Sequence, residues 1–419
     1  MQSHTTEAIY VIAALATVGV ILRPFNVAEA VWAVAGAVIL LALGLISIPD
    51  ALTGIGKGDD VYLFLFGMML LAEIARAEGL FDWLAAVATS HASGSPRRLF
   101  FLIYCVGTVV TIFLSNDATA VVLTPAVAAA VKAARAKEPL PYLLICAFIA
   151  NAASFVLPIS NPANLVIYGS RMPPLAQWLQ AYLLPSVVAI VATYLLLRFT
   201  QRGALRQEIA KEVPQPKLTG AGKLAAAGIV ATAGALLAAS ALDLQLGLPT
   251  AIAGSLTALV VLIRERKWPW SIARDISWGV LPLVAGLFVL VEALGKTGLI
   301  EAIAALLRAG EQQAAFATAA LSGFAIALAS NLINNLPAGL LAASAVQTAQ
   351  AGEHVTRAIL IGVDLGPNLS VTGSLATILW LGALRREGLV VGFGAFLKIG
   401  AVVMPPALIL AIVAALLAP

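Results

Sequence analysis

The chain has 419 residues, 61% hydrophobic and only 11% charged, with a mean hydropathy of +0.98. That much apolar surface excludes an ordinary soluble domain and points to a polytopic all-α membrane protein, because a helix crossing a hydrocarbon core of about 30 Å needs roughly 20 apolar residues. The net charge of +4 and pI near 9.1 come from positive residues scattered through short loops, which argues against nucleic acid as a partner.

In chain order, apolar spans are expected at about 8–22, 29–48 and 62–77, followed by a shorter amphipathic piece at 80–91. The run "VWAVAGAVILLALGLISI" is apolar without alternation, which rules out barrel strands. Met1 to Glu7 lacks a positive n-region, so the first span reads as retained. A long apolar region at 97–131 is interrupted at Ser115, Asn116 and Asp117, a segment at 141–169 is interrupted around "PISNPAN", and a span follows at 176–199. The polar stretch 202–223, with Arg202, Arg206, Lys211, Lys217 and Lys223, reads as a basic cytoplasmic linker between a first unit, 1–201, and a second, 224–419.

After the linker the pattern recurs: spans near 224–240, 248–264 and 279–294, a short piece at 297–309, an interrupted region at 313–349, a broken segment at 356–384 and a last span at 391–418. "GMMLLAEIARAEGLFD" aligns with "GLFVLVEALGKTGLIE", matching Gly67 with Gly286, Glu73 with Glu292, Gly79 with Gly298 and Asp82 with Glu301. At nearly the same offset, "NDATA" at 116–120 falls on "NNLPA" at 334–338. If each half has about five full spans plus a re-entrant hairpin (97–131, 313–349) and an unwound helix (141–169, 356–384), the loops near Arg23, Arg97, Lys132, Arg264 and Arg385 share one side with the linker. The positive-inside rule then puts that side in the cytoplasm and both termini outside, and an odd number of crossings per half makes the repeats inverted, as in secondary transporters of a cell (inner) membrane.

The interruptions carry the chemistry. An Asp at a helix centre in lipid costs about 3 kcal/mol on insertion scales and an unpaired buried amide roughly 2 to 7, so these groups must face one another or a wet cavity. Four stretches qualify: "SND" at 115–117, "PISNPAN" at 158–164, "SNLINNLP" at 330–337 and "GPNLSVTGS" at 366–374. Each mixes Asn, Ser or Thr with Pro, Gly or a carboxylate, and the breaks free backbone groups that a regular helix consumes. None contains Arg or Lys, which a dianion would require, so a small neutral polyol or a cation is the expected cargo. Coupling needs a group that loses and regains a proton. Asp117 is the first candidate, and Asp364, which aligns roughly with Asn151, is the second.

"FLSNDATAVVLTP", "PISNPANLVIYG", "FGMMLLAEIARAEGLF", "SNLINNLPAGLLA" and "GVDLGPNLSVTGSLATILWL" together resemble the arsenite efflux permease (ArsB-type) family of the ion transporter superfamily, over nearly the whole chain. The resemblance implies two inverted repeats, each with a re-entrant hairpin and an unwound helix, and export of arsenite or antimonite in exchange for protons. It puts Asn116 and Asp117 at the first hairpin tip, Asn334 and Asn335 at the second, Asn161 and Asn164 at the first helix break, and Asn368, Thr372, Ser374 and Thr377 at the second. Symporter relatives carry Ser-Asn-Thr at the tips; here Asp117 takes the Thr place, which speaks against a dicarboxylate. The partners implied are arsenite or antimonite, protons and the bilayer, with a separate ATPase subunit as an option because the chain has no Walker motif.

Several alternatives stay open at this level. An NhaD-type sodium/proton antiporter would use the same carboxylates and carbonyls. An intramembrane aspartyl protease using Asp117 and Asp364 is disfavoured, since "GVDLG" lacks the Gly-x-Gly-Asp form. Asp117 and Asn335 each have a purely structural reading as helix N-caps, and Asn161 and Asn164 one as plugs for backbone freed beside Pro162. Glu73 and Glu292 read as structural or interfacial, Cys105 and Cys146 as small core residues. His4, His91 and His354 show no ligand spacing, so neither a metal nor another cofactor is expected.

Overall fold

The computed structural model describes residues 2–213 and 216–418; Pro214 and Gln215 of the expected linker, and the terminal Met1 and Pro419, lie outside the described residues. Those described form nineteen α-helices and no strand. The first ten are α1 (Gln2–Leu22), α2 (Glu29–Ala42), α3 (Ile48–Gly56), α4 (Asp59–Ala77), α5 (Leu80–His91), α6 (Pro96–Phe113), α7 (Thr124–Ala133), α8 (Leu140–Ala152), α9 (Pro162–Tyr168) and α10 (Leu175–Thr200). After the linker come α11 (Gly220–Ala241), α12 (Gly247–Glu265), α13 (Trp270–Ala273), α14 (Val280–Gly295), α15 (Leu299–Ile333), α16 (Asn335–Ala349), α17 (Glu353–Leu365), α18 (Leu375–Arg386) and α19 (Phe393–Leu417).

Seven of these, α1, α6, α10, α11, α12, α15 and α19, are long and apolar enough to cross a membrane. The 13-residue α8 and α17 are not: at 1.5 Å per residue each reaches about 20 Å, short of a hydrocarbon core of about 30 Å, and α9 or α18 follows beyond a break. α15 bends at Ala314, where φ is −158° and ψ 78°, close to the expected junction between a short piece and the second interrupted region. The span expected at 29–48 is shorter than that, because α2 stops at Ala42. Gly44, at φ 66°, closes it with a Leu45 N–H to Leu40 carbonyl bond of 2.9 Å and its own N–H to Leu41 at 3.0 Å, and Ser47 then caps the separate α3.

Packing between the halves is reciprocal. α4 lies on α12, and α14 lies on α2. Gly67 and Gly286, the glycines the sequence matched, make these two crossings possible: a Cβ at Gly67 would stand 2.2 Å from the Thr250 carbonyl oxygen, and one at Gly286 2.7 Å from the Ala33 carbonyl carbon. Ion pairs join the same neighbours. Lys57 meets Glu292 at 2.7 Å and Lys296 meets Asp50 at 2.6 Å across α3 and α14, while Arg76 meets Asp275 at 3.0 Å and Lys267 meets Glu78 at 2.6 Å between α4 and the segment around α13. α10 and α19 pack on each other, and the interrupted segments lie against this second group of helices. Large apolar side chains such as Leu321 and Leu332 remain exposed on the outside, as a lipid-facing surface requires.

Candidate functional site

The first interrupted region turns at its tip without a regular cap. Ser115 Oγ accepts the Ala118 N–H at 3.2 Å and Asn116 Oδ1 accepts the Asp117 N–H at 2.9 Å. A π-helical turn, Ala118–Leu123, follows, just ahead of Pro125, which has no N–H to give a regular ladder. The capping duty is thus taken by its neighbours. Asp117 itself caps nothing, and its carboxylate has no hydrogen-bond partner among the described residues.

At the second tip Asn334 adopts φ 71° and ψ 149°, its Oδ1 accepts the Leu336 N–H at 3.3 Å, and its Nδ2 donates to the Thr372 carbonyl at 3.2 Å. Asn334, not Asn335, is therefore the cap of α16. Asn335 instead donates its backbone N–H to the Gly373 carbonyl at 2.8 Å, tying tip to break. Asn331, which sequence reasoning passed over, does more of this tying: Nδ2 donates to the Gly366 carbonyl at 2.9 Å, Oδ1 accepts from Ser370 at 2.7 Å, and its carbonyl accepts from Thr372 Oγ1 at 2.9 Å.

In the first break, Asn161 caps α9 by accepting the Ala163 N–H at 3.0 Å. Asn164, fully buried, points Nδ2 at the Ser154 carbonyl at 2.9 Å and at those of Leu157 and Pro158 at 3.3 Å, the backbone oxygens that unwinding released. In the second, Ser374 caps α18 through the Thr377 N–H at 3.1 Å, and the two hydroxyls are 2.8 Å apart. The two breaks are also stitched together. Asp364 accepts from Ser154 Oγ at 2.7 Å on one oxygen and from Asn161 Nδ2 at 2.8 Å on the other, while Asn151 Nδ2 donates to Asn368 Oδ1 at 3.0 Å. Ser154 and Asn151 were not singled out as site residues. The signal available for them was the alignment of Asn151 with Asp364.

Two spaces meet at the first tip. A cavity of about 650 Å³ is lined at its exposed part by Arg76, Asp275 and Arg386 and at its depth by Ser115, Asp117 and Pro162. Glu73 also lines it, held by Arg76 through a two-point ion pair. A second space of about 30 Å³, enough for a water-sized occupant, is lined by Asn116, Asp117, Asn161 and Asn335 together with Leu375 and Ala376. Both tips and the helix starts beyond both breaks thus converge there. Asp117 lines both spaces and is the one ionisable side chain of the small one. Asn164, Asn334, Asp364, Asn368, Thr372, Ser374 and Thr377 line neither; they sit behind the lining and hold it. Among the described residues no cluster of His, Cys, Asp and Glu has the form of a metal site.

A bundle of apolar helices with interrupted segments around a polar site reached through a charged vestibule defines a multi-pass membrane transporter rather than an enzyme. The chain belongs to the citrate transporter (CitMHS) family of the ion transporter superfamily, whose model matches residues 13–363. Among its relatives are the arsenical pump membrane protein of Escherichia coli strain K12, 26% identical over 400 residues (90% of this chain, 91% of the relative), and the putative arsenical pump membrane protein of Bacillus subtilis, 24% identical over 412 residues (91% and 93%). Among solved structures, the Alcanivorax borkumensis YdaH transporter shares the fold with a TM-score of 0.56 at 15% identity, over 88% of this chain and 86% of that one. Neisseria gonorrhoeae MtrF does so with 0.52 at 12% identity, over 99% and 94%.

Proposed function

We propose that this chain exports arsenite or antimonite, as the neutral trihydroxide, in exchange for protons, and that the exchange takes place at Asp117. The observation that carries this reading is that Asp117 is the one ionisable group in the small space between the tips, free of hydrogen-bond partners and open to the vestibule. A neutral trihydroxide is larger than the water-sized space and would occupy it as the tips part toward the vestibule, where its donors and acceptors suit the Asn116 Nδ2 and the Asn335 side-chain amide, whereas a di- or tricarboxylate would meet no cation between the tips. The names of the arsenical-pump relatives point the same way.

In this reading the protonated Asp117 and the bound solute compete for one place. Asp364 is the second coupling group: with Ser154 and Asn161 donating to it from the first half, it registers whether the two breaks are in contact. The remaining residues at the tips and breaks, Asn164, Asn334, Asn368, Thr372, Ser374 and Thr377, act on the solute through the shape of the lining. The halves are read as inverted repeats at 1–201 and 224–419, supported by a corresponding order of helices on either side of the linker, in which the kinked α15 stands for α5 and α6 together, and by the reciprocal crossings of α4 with α12 and α14 with α2. The vestibule, rimmed by Arg76 and Arg386, is assigned to the cytoplasmic side of the inner membrane because the basic loops and the linker fall on that side.

The test is uptake into everted vesicles carrying the protein, with arsenite and with sodium assayed separately, with and without an acid interior. Arsenite accumulation that depends on the gradient supports the reading. Sodium movement without arsenite would replace it by cation/proton antiport at the same carboxylates.

A further inference from the structure

We propose that the segment Arg264–Trp278 is a docking surface for anionic phospholipid headgroups, which hold one wall of the vestibule in place. α12 ends at Glu265, so the residues that follow lie about one turn beyond the end of a membrane span, at headgroup level. Three of the chain's seven tryptophans fall within eleven residues here, and all three face outward: Trp268 is 79% exposed, Trp270 68% and Trp278 41%. Water alone is a poor partner for such rings; the bilayer interface, apolar below and wet above, is the environment that suits them.

The segment is amphipathic and seated. Ile272 and Ile276, four residues apart, are buried with Ile74, Ala225 and Val261 in a small core of their own, which anchors the segment while the three tryptophans stay exposed. Charge then selects the lipid. Lys267 is taken by Glu78 and Arg274 by Asp275, but Arg264 and Arg266 are exposed and carry no ion pair among the described residues, nor does Glu265 between them, so the three leave one net positive charge. Arg264 stands beside Gly220 at the start of α11, where Lys223 adds a further exposed cation. Two free guanidiniums next to three interfacial indoles match an anionic phosphodiester better than a zwitterionic one.

The same segment reaches the transport path. Asp275, Ile276 and Ser277 line the 650 Å³ cavity, and Asp275 is bound to Arg76 of α4 at 3.0 Å. A headgroup held at Arg264 and Arg266 therefore steadies a wall that Arg76 shares.

The probe is the full chain reconstituted in phosphatidylcholine vesicles in which an equal small fraction of lipid is replaced by brominated phosphatidylglycerol or brominated phosphatidylcholine, reading tryptophan quenching. Trp268→Phe/Trp270→Phe identifies the signal of this segment. A surface arginine near anionic lipid favours association by about fivefold, so half-quenching is expected at a mole fraction of the anionic lipid several-fold lower than of the neutral one. Arg264→Gln/Arg266→Gln should erase that preference while leaving quenching by the neutral lipid unchanged. Equal quenching by the two lipids, or a preference that survives the double substitution, would overturn the proposal. Neither outcome depends on what the protein carries.

Discussion

Replacing Asn164 by Ala separates a scaffold role from a binding role at a position where sequence allowed both. The Asn164 amide faces three carbonyl oxygens of the unwound stretch, at 2.9, 3.3 and 3.3 Å, and no cavity. An NH₂ group has two hydrogens, so it satisfies at most two of the three at full strength. Removing it leaves the Ser154 and Pro158 oxygens without this donor, at about 1–3 kcal/mol each, while the Leu157 oxygen keeps the Ser160 N–H at 3.0 Å; loss of the unpartnered Asn164 Oδ1 offsets the small void, for a total of about 2–6 kcal/mol. At 1.4 kcal/mol per factor of ten, even the lower end multiplies the population with an opened break by about thirty. The assay is thermal unfolding of the purified protein followed by near-ultraviolet signal, with substrate binding measured on the fraction that stays folded. Unfolding should move down markedly while the affinity of the folded fraction holds. An Asn164→Ala protein that unfolds like the parent but binds its solute much more weakly would refute the reasoning and place Asn164 on the ligand.

Asp117→Asn should show the opposite pattern. The carboxylate has no hydrogen-bond partner to lose, so stability should change by less than about 1 kcal/mol, while gradient-driven transport falls to background in the vesicle assay. Asn161→Ala removes a donor from the fully buried Asp364, at about 1.5–3 kcal/mol, and a double-mutant cycle with Asp364→Asn should be non-additive in stability; simple additivity would mean that the 2.8 Å contact is not formed in the membrane. Gly254→Val would place a Cβ 2.5 Å from the Gly67 carbonyl oxygen and 2.9 Å from its Cα, where only backbone stands in the way. α4 and α12 must then part, at about 3 kcal/mol or more, which size-exclusion chromatography should report as loss of monodisperse protein. Asp60 accepts the Gly247 N–H at the start of α12 at 2.7 Å, so Asp60→Ala should cost about 1 kcal/mol in unfolding without touching affinity.

What sequence alone could read here follows from which forces act locally. Helix positions came through because hydrophobic runs must match a bilayer thickness, and the interruptions because polar groups in lipid stand out against their neighbours. The stop of α2 at Ala42 did not, since a Gly that closes a helix and a Gly inside one look alike in an apolar run. At the candidate site, residue type picked out segments that converge in the fold but could not divide the labour within them. Asn335 lines the small space with its amide free, Asn116 and Asn161 line it while also accepting a backbone N–H, and Asn164, Asn334 and Asn331 lie outside it with their amides on backbone. All six are asparagines beside a break; which way an amide turns is decided by which carbonyl the unwound chain leaves bare, and that is a property of the folded pair of halves. The same holds for the two carboxylates. Asp364 met donors on Ser154 and Asn161, more than two hundred positions away, whereas Asp117 met none. A carboxylate with two donors already in place is held to one arrangement of the breaks, and a carboxylate with none is left available to a proton or a solute. That difference in hydrogen bonding, rather than the presence of either Asp, is what makes Asp117 the exchange site and Asp364 the contact between halves in the proposed cycle.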